Sequence, residues 1–580
     1  MKGASELEHK RHSLAHLLAA AVLQLYPQAK PTIGPAIDIG FYYDFDGLSI
    51  SEKELAGIEK KMRELVKSWK NFEGKEISAK EAREHFKDNP YKLELIDEIE
   101  KSGEKITLYT SGTFIDLCRG GHTANPAKDV APTNWKLERV AGAYWRGDEK
   151  NKMLTRIYGL AFNSKEELNA HLTMQAEAEK RDHKKLGREL DLFVFSDLVG
   201  SGLPLWTPKG TIIRDLLDSF VWDLRKAEGY ERVDIPHITK KDLYVKSGHW
   251  EKFREELFVI KSREGHEFAM KPMNCPHHTQ IYARKGWSYR ELPQRYASTT
   301  KVYRDEQTGE LSGLSRVRAI TQDDAHVFCR SGQVKEEIRK IWGIISEFYK
   351  TFGFELSIRL SLHDPKQMQK YLGDEATWQT AENALREIVK EQKATVSEAV
   401  GEAALYGPKI DFMSKDALGR PLQVATIQLD MNLPERFDLV CTNEKGEKER
   451  IVMIHAAIMG SIERFMATLI EHYAGAFPLW LSPVQAAILP ISEKHTSAAR
   501  EALAALRDAN IRASLSDPTE SLGKRVRATK LSKIPYWLVI GDKEAENANA
   551  SLESRDKGQL GTLSLAEITS KLLGEIKARK

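Results

Sequence analysis

Between Tyr303 and Phe328 the chain reads YRDEQTGELSGLSRVRAITQDDAHVF, a dense run of groups that can do chemistry. Two short runs with strand character flank a polar loop, Gln307 to Ser315, which carries Gly309 and Gly313. This is the pattern of a hairpin with a long, mobile tip. Alternate residues of a strand share a face. One face then holds Arg304 and Glu306, and one face of the second run holds Arg316, Arg318, Ile320, Gln322, Asp324 and His326. Such a surface is expensive to bury without ligands. The arginines suit polyphosphate, because a planar guanidinium donates two hydrogen bonds to paired oxygens. A solvated strand face laced with salt bridges is the plainer alternative. Elsewhere, His12 and His16 stand one helical turn apart, with His9 nearby, and Cys118-Arg119-Gly120-Gly121-His122 follows far downstream. A histidine pair plus Cys-x-x-x-His resembles a metal site; a surface histidine cluster and an unrelated buried cysteine are the alternatives. Cys275, His326 and His455 share no local metal spacing and read, by themselves, as a buried thiol and two core histidines.

The elements that must position these groups are partly readable. Residues 6 to 26 have the spacing of an amphipathic helix, with Leu14, Leu17, Leu18 and Val22 as apolar positions. Ser164-Lys165-Glu166-Glu167 is a capping box that opens a helical stretch running to about Arg188 and ending in a basic cluster. Gly210 to Pro236 predicts a buried helix and then a strand, Arg232 to Ile235. From about Leu481 the texture changes to strand (Val484–Ile491), helix (Ala498–Ala509), basic helix (Leu522–Ser532) and strand (Tyr536–Ile540), an α/β pattern. The 580 residues suggest three or four domains, and 41% hydrophobic with 29% charged residues describes an ordinary soluble globular chain. No apolar run reaches the ~18 residues of a membrane span, and no signal peptide opens the chain. Four cysteines, Cys118, Cys275, Cys329 and Cys441, are too few for a disulfide scaffold and point to a reducing cytoplasm. A net charge of +3 does not by itself indicate a nucleic-acid partner. Gly-x4-Gly-Lys-Ser/Thr and Gly-x-Gly-x-x-Gly phosphate loops are absent, which argues against generic ATPase and dehydrogenase functions.

Arg304-Asp305-Glu306, Gly313-Leu314-Ser315-Arg316-Val317-Arg318 and Thr321-Gln322-Asp323-Asp324-Ala325-His326 resemble motif 2 of class II aminoacyl-tRNA synthetases, most closely the threonyl-tRNA synthetase family. Three more segments agree in order: Lys271-Pro272-Met273-Asn274-Cys275-Pro276, Tyr406-Gly407-Pro408-Lys409-Ile410 and Gly460-Ser461-Ile462-Glu463-Arg464-Phe465. The resemblance covers nearly the whole chain. It implies an α+β multidomain fold: a class II catalytic core on an antiparallel sheet, an N-terminal α+β editing domain and a C-terminal α/β anticodon-binding domain. The implied bounds are 1–162 for editing, 163–188 for a linker helix, 189–478 for catalysis and 479–580 for the anticodon. Many bacterial members carry a ubiquitin-like domain ahead of the editing helix, and this chain is expected to lack it.

By the same resemblance, Cys275, His326 and His455 bind one Zn²⁺ per subunit, a donor set of thiolate and imidazoles that suits the metal. Threonine would fill its open positions with amino nitrogen and hydroxyl. Apolar packing separates valine from threonine by only ~1–3 kcal/mol, whereas a metal that needs an oxygen ligand rejects the methyl analogue. Serine still offers both donors, so a second, hydrolytic sieve is needed. That sieve is implied at His12, His16, Cys118 and His122 with Lys92 and Asp116, positioning water and ester without a structural metal. Arg304 would hold the α-phosphate, Glu306 the adenine amino group, Arg316 the γ-phosphate, and Arg464 would stack on adenine. Asp324 would pair with the threonine ammonium, with Tyr406, Lys409, Gln322, Gln423 and Gln428 lining the site and Mg²⁺ accompanying ATP. The Gly210–Pro236 segment would form a homodimer, and tRNA(Thr), ATP and L-threonine would be the partners. Glu544 would face an anticodon base; Arg555, two residues beyond Glu553 and hence on the same face, would replace an arginine usual at 553. Ile320, Ser312 and His277 depart from the usual aromatic, histidine and glycine. Two other functions fit the same scaffold: a tRNA-dependent hydrolase with a decayed synthetase core, and a non-catalytic RNA-binding regulator.

Overall fold

The computed structural model describes residues 5–148, 150–416 and 419–580. The chain divides into two compact units, Met1–Ala176 and Glu177–Lys580.

In the first unit, the Glu6–Leu25 helix is the centre of the core. Its Ser5 cap and Glu8 form a reciprocal capping box. The expectation of an amphipathic helix is corrected: every residue from Ser13 to Val22 is buried, on all sides of the helix. A helix apolar all round needs neighbours all round. Phe41, Tyr43 and Phe45 of the Gly40–Asp46 strand and Leu55, Ile58 and Met62 of the Leu55–Leu65 helix share its core. Gly40–Asp46 belongs to a five-stranded antiparallel sheet with Met153–Ala161 and Trp135–Tyr144, and a smaller sheet joins Glu73–Glu76, Thr107–Ser111 and Phe114–Leu117.

The helix expected from Ser164 to Arg188 is broken. Lys165–Arg181 ends at Asp182, whose extended ψ of 119° and side-chain bond to the Lys184 amide start a new helix, His183–Glu189. Asp182 competes with the helix for backbone donors and wins as a cap.

The second unit is built on an eight-stranded sheet. Its order is Glu231–Arg232, Gln294–Tyr303, Ala319–Cys329, Val452–Ala457, Pro421–Asp430, Lys409–Lys415, Ser357–Leu362 and Val396–Val400. The six inner strands pair antiparallel and the two outermost pair parallel. The strand expected at 232–235 is shorter and lies at Glu231–Arg232. The Pro208–Ala227 helix presents Gly210, Ile213, Leu217, Phe220, Val221 and Arg225 inward. Arg225 reaches under the sheet: its Nη2 donates to the Asp323 carbonyl at 2.7 Å and lies 3.2 Å from the Asp323 carboxylate. The expected hairpin exists, with Tyr303 opposite Ala319, so its loop spans 304–318 rather than 307–315. Arg304, Glu306, Arg316 and Arg318 therefore sit in the loop, not on strand faces.

A separate five-stranded sheet ends the chain, ordered Ala513–Leu515, Ala486–Pro490, Tyr536–Ile540, Asn549–Ser554, Gly558–Ser564, with its own apolar core. Its first three strands are parallel and the last two antiparallel. Among the described residues, no helix is long and apolar enough to cross a membrane.

Asp323 is wholly buried and also accepts from the Ile458 and Met459 amides at 2.8 and 3.0 Å. Asp323→Ala strands a buried guanidinium and two amides, and is expected to lower unfolding free energy by about 3–5 kcal/mol; urea denaturation checks this, and an unchanged midpoint would contradict it.

Candidate active site

The Ala319–Cys329 strand lies between Gln294–Tyr303 and Val452–Ala457, with His326 opposite both Tyr296 and His455. Its alternation sends Thr321, Asp323 and Ala325 toward the helices and Gln322, Asp324 and His326 to the opposite face. Gln428 on the next strand pairs in register with His455. Cys275 starts the Cys275–Tyr282 helix. The ligand atoms of Cys275, His326 and His455, all buried, lie within 4.8 Å of one another.

The hydrogen bonds around this triad decide which lone pairs face inward. His455 Nε2 lies 2.8 Å from the Asp430 carboxylate, so it carries the proton and leaves Nδ1 unprotonated. His326 Nδ1 lies 2.7 Å from His278 Nδ1, and His278 Nε2 lies 3.2 Å from Ser298 Oγ. His326 then turns Nε2 toward His455 Nδ1 at 3.0 Å. Burial pushes the His326 pKa well below the ordinary histidine value and the Cys275 thiol well above its own. Two facing imidazole lone pairs beside a buried thiol suit a thiophilic cation, whose charge would turn the thiol into a thiolate. The residues fit Zn²⁺.

Asp324 accepts from Asn274 Nδ2 at 3.0 Å. Tyr406 donates its hydroxyl to Gln428 at 2.6 Å and stacks on His455, ring centroids 4.5 Å apart. Gln423 and Lys409 meet at Asp411: the Gln423 amide donates to it at 2.9 Å, and Lys409 Nζ lies 3.4 Å away. At the loop end, Arg304 has a buried Nε without a protein partner. Burial and the charges of Arg304 and Arg316 lower the Arg464 pKa, so three guanidinium groups converge. Arg316 is ion-paired with Glu306 and Glu310 at 2.7 and 2.8 Å. Ile320 lies on the Gln322 side of its strand, Ser312 is exposed, and His277 is buried with neither ring nitrogen on a protein partner.

Sequence reasoning missed Asp430, His278, Lys271 and His249 as site members. Asp430 follows Gln428 by two and so shares its strand face, and His278 follows Cys275 by one helical turn; both signals were readable. Lys271 is buried, donates to Thr300 Oγ1 at 2.9 Å, and burial brings its pKa down to about 8. His249 Nε2 lies 3.9 Å from Cys275 Sγ, a proximity that no local spacing announces.

In the first unit, His12, His16, Cys118 and His122 also cluster within 4.8 Å. Asp116 is the hub behind them. It takes the Tyr43 hydroxyl at 2.5 Å, an ion pair from Lys92, and His16 Nδ1 at 3.3 Å. Burial opposes charge on His16, but hydrogen bonds and charges from Asp116 and Cys118 hold its pKa up to about 9. Burial likewise opposes ionisation of Cys118, but hydrogen bonds from His12, His122 and His16, and the His16 charge, bring the thiol down to about 3. Cys118 lines a cavity of about 370 Å³ with Leu95, Ile99, Leu117 and Arg119.

In the C-terminal sheet, the carboxylate of Glu544 accepts from the Gly541 amide at 3.1 Å. The expectation that Arg555 shares a strand face with Glu553 is corrected. The strand ends at Ser554 after a register shift at Leu552/Glu553. The Arg555 guanidinium donates to the Phe477 and Lys533 carbonyls and pairs with Asp556.

A thiolate–imidazolium pair has a measurable signature. The alkylation rate of Cys118 by iodoacetamide is expected to stay flat between about pH 5 and about pH 8, because His16 titrates above that window and Cys118 below it. A rate rising about tenfold per pH unit, as an ordinary thiol gives, would rule the pair out.

Residues 258–473 match the tRNA synthetase class II core domain (G, H, P, S and T), and residues 485–575 match the anticodon binding domain. A threonine–tRNA ligase from Cytophaga hutchinsonii is 48% identical over 572 residues, 97% of this chain and 88% of that protein. One from Flavobacterium johnsoniae is 47% identical over 575 residues, 98% of this chain and 88% of that protein. A crystal structure described as the RNA binding domain of threonyl-tRNA synthetase from Cryptosporidium parvum is 37% identical with a TM-score of 0.65, covering 68% of this chain and 98% of that one. The chain belongs to the threonine–tRNA ligase family, on a class II aminoacyl-tRNA synthetase core.

Proposed function

We infer that the chain joins L-threonine to tRNA(Thr) through threonyl-adenylate, with Cys275, His326 and His455 as a zinc site that selects the amino acid. The observation that carries this is one sheet face joining a buried Cys–His–His triad to Asp324, with Arg304, Arg316 and Arg464 at its loop end. Bound zinc would supply a Lewis acid that accepts the amino nitrogen and hydroxyl of threonine and has nothing to offer the methyl group of valine. Asp324 neutralises the threonine ammonium, while Tyr406, Gln322 and Gln428 line its pocket. Arg304 and Arg464 draw the ATP phosphates and adenine into place, and Mg²⁺ accompanies ATP. Arg316 exchanges its partners Glu306 and Glu310 for the γ-phosphate, which frees Glu306 for the adenine amino group. The threonine carboxylate then attacks the α-phosphorus, diphosphate leaves, and charge building on the phosphoryl oxygens is met by Arg304. Lys409 and Gln423, tied together through Asp411, line the same site. A hydroxyl of the terminal ribose of tRNA finally attacks the threonyl carbonyl, forming the ester as the anhydride bond breaks and AMP leaves.

Residues 1–162 form the editing domain in this reading, 163–188 the linker, 189–478 the catalytic domain and 479–580 the anticodon-binding domain. His12, His16, Cys118 and His122, backed by Lys92 and Asp116, position water and the seryl ester. Glu544 faces the anticodon. Two copies pair through the Pro208–Ala227 helix, and Val194, Phe195, Leu198 and Leu205, which precede it in the chain, are exposed. The protein is placed in the cytoplasm, where its four free cysteines stay reduced.

Purified protein is expected to hold about one zinc per chain and to catalyse ATP–pyrophosphate exchange with threonine, weakly with serine and hardly with valine. Cys275→Ala should lose the metal and at least ~100-fold of the exchange; full exchange without zinc would end the zinc reading. For the second site, His12→Ala and Cys118→Ala should each cut seryl-tRNA hydrolysis by roughly 100-fold and leave threonine exchange within about twofold. Undiminished hydrolysis in both variants would remove the editing assignment.

A further inference from the structure

Arg181, Asp182 and His183 occupy the break between two helices, a place where the sequence suggests only a linker. His183 is buried, yet it belongs to neither the metal triad nor the strand face that carries Asp324. Its Nδ1 lies 2.7 Å from Glu471 Oε1, in the last turn of the Ile462–His472 helix that presents Arg464. Its Nε2 accepts the Leu314 amide at 3.1 Å. An acceptor at Nε2 and a carboxylate at Nδ1 together fix the neutral tautomer with the proton on Nδ1.

The fit around this ring is close. Gly313 has φ of +51°, and a Cβ there would lie 2.3 Å from His183 Nε2, so only glycine lets the loop reach the imidazole. Leu314 itself is fully buried in the main core. Arg181 adds bonds to the Glu471 and His472 carbonyls at 3.4 and 3.1 Å, capping the C-terminal end of the same helix. From that helix Arg464 Nε donates to the Ser315 carbonyl at 3.3 Å. Leu314 is thus held by its amide and Ser315 by its carbonyl, and the next residue is Arg316.

We propose that His183 is a positioning residue of the ATP site: a buried imidazole strut that fixes the 304–318 loop against the Ile462–His472 helix, so that Arg316 and Arg464 keep their spacing for the nucleotide. The linker is then part of the nucleotide-binding apparatus. Without the imidazole, the Leu314 amide loses a buried acceptor and the loop loses a tether two residues from Arg316. The cost falls on ATP, because His183 makes no hydrogen bond to Asp324, Gln322, Gln428, Tyr406 or the Cys275, His326 and His455 triad; its partners are Glu471 and Leu314.

This inference rests on the ligase reading, and wild-type exchange run alongside separates the two: no exchange in wild type would sink the ligase reading before the strut is tested. In the full chain, His183→Leu is expected to raise the KM for ATP in threonine-dependent exchange roughly tenfold. The KM for threonine should stay within about twofold, because its pocket keeps its contacts. His183→Gln, whose amide oxygen can still accept from Leu314, should recover most of the ATP affinity. A purely structural role predicts a lower melting temperature and fewer active sites with both KM values unchanged, and that result overturns the proposal. If the leucine variant does not fold, Glu471→Ala carries the test. It frees the tautomer and should raise the KM for ATP about threefold; an unchanged value there overturns the proposal as well.

Discussion

The catalytic unit depends on one buried carboxylate. Asp323 joins Arg225 of the Pro208–Ala227 helix to the middle strand of the sheet and to the Ile458 and Met459 amides, just ahead of the Ile462–His472 helix. Burial pushes its pKa up to about 6 even with these donors in place, so the environment penalises the charge it requires. A cost of this kind persists when it fixes a geometry. Because strand residues alternate, an anchored Asp323 turns Gln322, Asp324 and His326 to the opposite face. A slip of one residue would turn Gln322, Asp324 and His326 toward the helices and Thr321, Asp323 and Ala325 away from them.

On that face the site is organised in shells. Asp430 and the His278–Ser298 pair hold the two histidines so that one lone pair from each points at the other. The hydrogen bonds thereby do, within the protein alone, the orienting that a metal centre needs. Farther along, the loop end gathers positive charge: Arg464 feels Arg304 and Arg316 as repulsion, which the nearby Glu306 carboxylate offsets. The buried Cys–His–His triad and the arginine cluster thus sit at two parts of one scaffold with different electrostatic character.

The first unit solves a similar problem with different parts. Asp116 is again a carboxylate out of solvent, met by Lys92, Tyr43 and His16, and the charge it fixes on His16 keeps Cys118 ionised. The Cys118 cluster is charged and opens on a cavity, whereas the Cys275 cluster is buried and its thiol stays protonated without a metal. Cysteine and histidine thus end in opposite charge states in the two clusters because the neighbours differ.

The sequence by itself determined the family and the α+β class, since long ordered motifs survive in one dimension, and it singled out the cysteines, histidines and arginines that the fold then brings together. Element types were legible where periodicity or caps were strong, as at Ser164 and Tyr536–Ile540. Local rules failed where distant parts of the chain decide. Glu6–Leu25 reads as amphipathic but is buried on all sides from Ser13 to Val22 because a sheet and a second helix flank it. The hairpin loop is longer than its polar residues suggest, and Arg555 spends its guanidinium on carbonyls of other segments. Tertiary structure alone decided that Cys275, His326 and His455 converge, that Asp430 and His278 aim them, and that His183 reaches the loop beside Arg316. Those contacts join residues up to 180 positions apart by strand register and packing, and no local spacing records such pairings.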